Sequence, residues 1–146
     1  MFLKPGSFTS GEIEAVRLVS AALPDVCEQV GQHTLCLTVW GNRGPTAIRW
    51  EPSSQPVSEH LHTGLVMSIT RSATGRAFAA FLPEDATRGL VDEELAVGDG
   101  EEASPAQRRR QFDDEVAQAR RHGLARAAEP KASPVPSPRP RSSPNT

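Results

Sequence analysis

Apolar side chains recur at steps of three and four near the start of the chain, a spacing that predicts an amphipathic helix. They are Ile13, Val16, Val19, Leu23, Val26 and Val30. Thr9 and Glu12 have the spacing of a capping box, in which a hydroxyl and a carboxylate satisfy amides of the first turn. Because proline lacks an amide donor and clashes with the preceding turn, we expect a kink or a break at Pro24, which would open a second short helix. Gly31 is expected to end the helical region.

β-branched and apolar residues then predict an antiparallel hairpin. Its turn runs from Gly41 to Pro45, and Trp40 and Trp50 are expected to be partners across the two strands. Two further segments carry strand patterns, so the sheet would be a meander of three or four strands. In chain order the candidate strands are 34–40, 46–51, 57–63 and 65–70.

Three helices are predicted after the sheet. Ser72 is a favourable N-cap for a short helix that Pro83 ends. A second helix starts at Pro83 and runs toward Leu95, and a polar third helix covers residues 105–122 and stops at Gly123. The side chains expected to face the core are Phe78, Phe81 and Leu82 on the first helix and Phe112, Val116 and Ala119 on the third.

Composition divides the chain into two parts. A length of 146 residues suits one domain, which we assign to residues 1–127. Residues 128–146 are rich in Pro, Ser and Arg and contain, apart from Val135, no large apolar residue. This composition predicts a disordered or polyproline-like tail, because such a segment cannot bury enough apolar surface to fold.

The charge balance argues against direct contact with DNA. Sixteen Lys and Arg residues against eighteen Asp and Glu residues give a net charge of −2, whereas nucleic-acid-binding domains are usually basic. The basic run Arg108–Arg110 lies among acidic residues and is interpreted as part of a solvated helix face. The chain has neither a signal-peptide pattern nor an apolar stretch of membrane-spanning length, so we expect a cytoplasmic protein without membrane contact.

Candidate catalytic and metal-binding groups are few. Glu59, His60 and His62 could ligate a metal, but no third well-placed His or Cys accompanies the two histidines, and we expect neither a metal nor another cofactor. Ser72 could be a nucleophile, but it lacks a Gly-x-Ser-x-Gly context, and helix capping is the better interpretation. A small hydrolase or metalloenzyme is therefore the least favoured function.

The order of these elements resembles the effector-binding domain of IclR-type bacterial transcriptional regulators. Residues 64–77 carry the resemblance with the sequence Gly-x-x-Met-Ser-Ile-Thr-Arg-Ser-Ala-Thr-Gly-Arg-Ala, of which the last six residues are the most specific part. The residues 81–83, 115–125 and 24–31 agree at the level of pattern. The resemblance covers residues 8–125.

The resemblance implies a GAF-like or profilin-like α/β domain, an antiparallel sheet flanked by helices, that binds a small organic-acid effector. Mapped onto this sequence, the pocket residues are Ser68, Thr70, Ser72, Ala73, Thr74 and Gly75. The chemistry of the segment agrees, because a helix N-terminus preceded by hydroxyl residues presents amides and the positive end of a dipole to a carboxylate. Glycine at position 75 permits close approach of a ligand or of a neighbouring strand.

Two departures from the family pattern shape the functional expectation. Family members carry a winged helix-turn-helix before this region and further sheet strands after it, so we expect a truncated or frame-shifted chain that lacks both. The predicted function is effector binding or subunit association, without enzymatic activity, as a homo-oligomer or with a full-length regulator. The alternative is a nonfunctional fragment with an incomplete sheet and an exposed strand edge.

Overall fold

The computed structural model describes residues 9–53, 61–97 and 103–127, and within these ranges the chain forms four helices and a two-stranded antiparallel sheet. In chain order the elements are α1 (Ser10–Val30), β1 (Leu35–Gly41), β2 (Gly44–Glu51), α2 (Ala73–Phe81), α3 (Glu84–Val97) and α4 (Pro105–His122). The fold is therefore mixed α+β. The predicted tail at 128–146 and most of the candidate strand at 57–63 lie outside the described residues.

Helix α1 runs without a break through Pro24, so the predicted second helix starting there is wrong. The capping box is confirmed: the Thr9 amide donates to Glu12 Oε2 at 2.7 Å, and the Glu12 amide donates to Thr9 Oγ1 at 3.3 Å. Proline deprives the Ser20 carbonyl, four residues earlier, of its helical amide donor. Arg49 Nη1 from β2 donates to that carbonyl at 2.8 Å, which compensates for the missing hydrogen bond.

The hairpin is confirmed, but its register differs from the prediction. Gly41 pairs with Gly44 at the turn, and the register shifts between Leu37 and Thr38. Trp40 therefore lies opposite Pro45, whereas Trp50 lies opposite Cys36. The expected cross-strand pairing of the two tryptophans is wrong.

The segment at 65–70 does not form the predicted strand. It contributes one bridge, between Val66 and Thr46, and the Met67 amide donates to the Pro45 carbonyl at 2.8 Å. The chain then turns, because Ser72 Oγ donates back to the Ser68 carbonyl at 2.6 Å. Within the described ranges the meander is thus a two-stranded sheet with a single bridge at its β2 edge.

The hydrophobic core lies between β1 and the three later helices. Its buried members are Trp40, Ile69, Ala79, Ala80, Leu82, Val91, Phe112, Val116 and Ala119. The Trp40 and Phe78 rings pack at a centroid distance of 5.6 Å with tilted planes. The core positions predicted on α4 are confirmed, and so is Leu82, but Phe81 is 43% exposed and its predicted inward position is wrong.

Arginines of α4 hold the ends of the two preceding helices. Arg108 Nη2 donates to the Leu95 carbonyl of α3 at 2.7 Å, and Arg120 Nε donates to the Ala80 carbonyl of α2 at 2.8 Å. Neither α2 nor α3 has a basic residue in its own last turn. Since the C-terminal end of a helix carries partial negative charge and unpaired carbonyls, α4 supplies the cations that these ends lack.

The apolar stripe of α1 is mostly uncovered, contrary to the burial that its pattern predicts. Leu23 is buried, but Ile13, Val19, Val26 and Val30 are between 42% and 56% exposed. Within the described ranges the helix packs on a sheet of two strands, which is a small facing surface for its apolar stripe. None of the helices in the described ranges combines the length and apolar character needed to span a bilayer.

Candidate functional site

The six residues predicted to line a pocket lie together in the turn before α2 and in its first turn. Ser68, Thr70, Ser72, Ala73 and Thr74 are half-buried, and Gly75 is buried. The turn follows the segment that bridges to β2, so it lies between the edge of the sheet and the start of α2. The structure therefore brings these residues together.

Ser72 is the N-cap of α2, as predicted from the sequence. Its Oγ accepts from the Gly75 amide at 2.8 Å and donates to the Ser68 carbonyl at 2.6 Å. Both functions of the hydroxyl are thus engaged by backbone groups. This arrangement favours a capping role over a nucleophilic one, since a nucleophilic serine needs a general base as its hydrogen-bond partner.

Gly75 allows α2 to pack directly on the backbone of the turn. A Cβ at this position would collide with the Ser68 carbonyl oxygen and with the Cα and carbonyl oxygen of Ile69. Close backbone approach, one of the two roles expected for this glycine, is therefore present between two parts of the chain itself.

The carboxylate of Glu94, on α3, occupies the donors of the turn. Its Oε2 accepts from Ser68 Oγ at 2.6 Å, from Thr70 Oγ1 at 2.8 Å and from the Thr70 amide at 3.0 Å. Its Oε1 accepts from the Ile69 amide at 2.9 Å. Two backbone amides and two hydroxyls thus converge on one carboxylate.

These contacts lower the pKa of the Glu94 carboxyl group. Desolvation by burial raises the pKa of its carboxyl group, whereas the hydrogen bonds from Ser68, Ile69 and Thr70 lower it, and the net effect is a pKa below the ordinary value of 4.5. The groups that lower this pKa are all neutral hydrogen-bond donors, two hydroxyls and two backbone amides.

Glu94 is the site residue that sequence reasoning missed. It follows Asp92 and Glu93 in an acidic stretch of a surface helix, and its partners lie 24 to 26 residues earlier in the chain. Nothing local distinguishes it from its neighbours, because only the packing of α3 beside the turn selects the carboxylate that reaches the donors.

Two amides of the predicted anion site lack a hydrogen-bond partner within the described ranges. The amides of Ala73 and Thr74, at the start of α2, make no hydrogen bond within the described ranges. Such amides, at the positive end of a helix dipole, are complementary to a carboxylate. The turn donors are thus filled by Glu94, whereas the first amides of α2 are not.

The structure brings no metal-binding cluster together in the described ranges. No group of three or more His, Cys, Asp or Glu side chains is placed to hold a metal ion there. Glu59 and His60 of the predicted candidate lie outside the described residues, and His62 is exposed.

Two solved structures of transcriptional regulators resemble this fold. HmgR of Pseudomonas aeruginosa matches with a TM-score of 0.61 and 32% sequence identity, over 78% of this chain and 44% of the HmgR chain. IclR of Thermotoga maritima matches with a TM-score of 0.57 and 17% identity, over 75% of this chain and 44% of that one. No family model and no curated protein matches the sequence.

These matches define the class of fold. The chain shares the architecture of part of the IclR-family regulators and spans about 44% of the length of the two solved chains. That portion is consistent with a part of the effector-binding domain, in agreement with the resemblance seen in the sequence.

Proposed function

We propose that this chain is a small-molecule effector-binding domain, without enzymatic activity, that acts in ligand-responsive regulation of transcription. The observation that carries the proposal is the likeness to HmgR at 32% identity over 78% of the chain. The domain comprises residues 1–127.

The proposed ligand is a small organic acid, and the proposed site is the turn and helix start formed by Ser68, Thr70, Ser72, Ala73, Thr74 and Gly75. The donors of this segment support the ligand class, because the turn already binds a carboxylate and the Ala73 and Thr74 amides make no hydrogen bond within the described ranges. The half-buried position supports access from solvent.

The proposed partner is a second copy of the chain or a longer regulator. Support comes from α1, where Leu18, Val19 and Val26 are 42% to 59% exposed. In the described ranges, β1 also has no strand on its outer edge. Exposed apolar surface and an unpaired strand edge are both features of association surfaces. Sedimentation of the purified chain over a range of concentrations tests self-association.

Thermal unfolding of the full chain tests effector binding. The transition is followed alone and with a panel of aromatic and aliphatic carboxylates, each paired with its neutral amide. A ligand that binds only the native state stabilises it, by about 2.7 kcal/mol at a concentration of one hundred times its dissociation constant. We expect one carboxylate, and not its amide, to raise the transition temperature.

Two results would contradict the proposal. If the chain unfolds cooperatively but no carboxylate raises the transition temperature, the proposal that the ligand is a small organic acid is wrong. A chain with no cooperative transition under any condition would support the alternative of a nonfunctional fragment.

A further inference from the structure

The turn at residues 68–70 is a complete carboxylate-binding site whose occupant belongs to the chain. Four donors reach Glu94 at 2.6 to 3.0 Å, and both carboxylate oxygens are engaged. The donors are two hydroxyls and two amides, and this neutral set matches a single carboxylate group without needing a cation.

The site is reachable from solvent. Ser68, Thr70 and Glu94 are each half-buried, so part of each residue is exposed to solvent. A small acid could therefore approach the same donors if the Glu94 side chain moved away.

We infer that Glu94 is a built-in competitor of the effector, and that the carboxylate of an organic acid takes its place on the turn. This inference rests on the proposed effector-binding function. It adds a mechanism: the Glu94 carboxylate occupies the site in the absence of ligand, and the carboxylate of the ligand displaces it on binding.

The exchange leaves the local hydrogen bonding intact. An unsatisfied buried donor is costly, but one carboxylate replaces another, so the turn donors are paired both before and after the exchange. Helix α3 also keeps its other ties: the Leu95 carbonyl accepts from Arg108, Asp92 pairs with Arg109 at 2.6 Å, and Val91 is buried in the core. The Glu94 side chain can therefore turn toward solvent while α3 remains packed.

A tethered competitor weakens binding of the free ligand. The attached carboxylate has an effective concentration in the millimolar range or above, so a free acid must exceed it to displace it. Removing the Glu94 side chain beyond Cβ should therefore raise the affinity of the turn for a simple carboxylate by about tenfold or more.

Acetate is the probe, because it replaces the carboxylate and one carbon of the deleted side chain. Thermal unfolding of the full-length E94A variant is measured against sodium acetate, with sodium chloride at equal ionic strength and acetamide as controls. We expect acetate to raise the transition temperature of E94A at concentrations that leave the wild type unchanged. E93A, altered at the exposed neighbouring position of the same helix, should not respond. E94Q, which keeps the side-chain volume, should not respond either.

The results separate this inference from the proposed function. Equal acetate responses in E94A and the wild type, or none in either, would overturn the inference. An organic acid that binds the wild type and E94A with equal affinity would support the proposed function and overturn the competition. Rescue of E94A by acetate, with no response to any larger acid, would support the site and contradict the proposed function.

The inference can also be tested if the E94A variant does not fold in the absence of acetate. It is then refolded from urea in acetate or in chloride, with helical circular dichroism as the readout. Recovery only in acetate would support the inference. Failure in both salts, with E94Q folded in chloride, would overturn it, because the turn would then need a tethered side chain and could not use a free acid.

Discussion

Helices α1 and α4, which lie in different halves of the molecule, bury their apolar residues to different extents. In the helical cluster, formed by α2, α3, α4 and the turn before α2, Ile69, Val91 and Ala119 are at most 2% exposed. In the hairpin layer, formed by α1, β1 and β2, the strands bury Trp40 and Ala47, but on α1 Leu18 is 59% exposed and Val26 is 42% exposed. Helix α4 has few apolar residues and buries its three main ones, whereas α1 has many and leaves most uncovered. An amphipathic pattern therefore predicts burial only where the fold supplies a large enough facing surface.

The largest effect is expected from Gly75→Ala in the helical cluster. The new Cβ would overlap backbone atoms of Ser68 and Ile69, which cannot move aside as a flexible side chain can. We expect a loss of about 3 kcal/mol in the free energy of unfolding, measured by urea denaturation.

Gly89→Ala is the matched control for that substitution. Gly89 also lies in a helix, and a Cβ there would meet nothing within 4 Å. Alanine should stabilise α3 by about 0.5 to 1 kcal/mol through its higher helix propensity. Similar effects of the two substitutions would show that the turn and α2 are loosely packed. The helical cluster would then not be the more tightly packed half of the molecule.

The comparison of the halves is tested directly by Val91→Ala against Val26→Ala. Val91 is 2% exposed in α3, and Val26 is 42% exposed in α1. The first substitution should cost about 2 kcal/mol, because it removes buried methyl groups and leaves a cavity. The second should change stability by less than about 0.5 kcal/mol. A loss at Val26 as large as that at Val91 would mean that the α1 face is covered in solution, and sedimentation would then show whether a second copy covers it.

A smaller effect on the free energy of unfolding is expected from removing the hydrogen bond of Arg49 in the hairpin layer. The Ser20 carbonyl accepts from Arg49 Nη1 because Pro24 provides no amide. In Pro24→Ala the helix regains that amide, so Arg49→Met should be less harmful in this background than in the wild type. A double-mutant cycle of urea unfolding should give a coupling energy of about 1 kcal/mol. Strict additivity would show that the hydrogen bond does not compensate for the proline.

Local signals explain which parts of this fold could be predicted. The capping box of Thr9 and Glu12 joins residues three apart, as does the bond from Gly75 to Ser72, and both were predictable from the sequence. The uninterrupted helix at Pro24 and the role of Glu94 were not predicted, because both depend on residues that are far apart in the sequence. Arg49 lies 29 residues from Ser20, and Glu94 lies 24 residues from Thr70. The residues of the candidate turn were predicted from the resemblance to a known family. Its internal carboxylate depends on tertiary packing, which no short-range pattern encodes.

The smallest effect is expected from the pH dependence of Glu94, because it is one of eighteen acidic residues in the chain. Its pKa lies below the ordinary 4.5, since hydrogen bonds from the turn outweigh desolvation by burial. A lowered pKa in the folded state means that Glu94 adds stability above its unfolded pKa, and that this stability is lost as pH falls through the folded pKa. Urea unfolding of E94Q and the wild type should thus differ at pH 7 and converge as pH falls below the ordinary value of 4.5 and through the lower folded-state pKa of Glu94. Amide exchange at Ile69 and Thr70 should quicken over the same range in the wild type, while the hairpin layer stays protected. A pH-independent difference between the two proteins would show that the glutamate stabilises the turn by its shape and not by its charge.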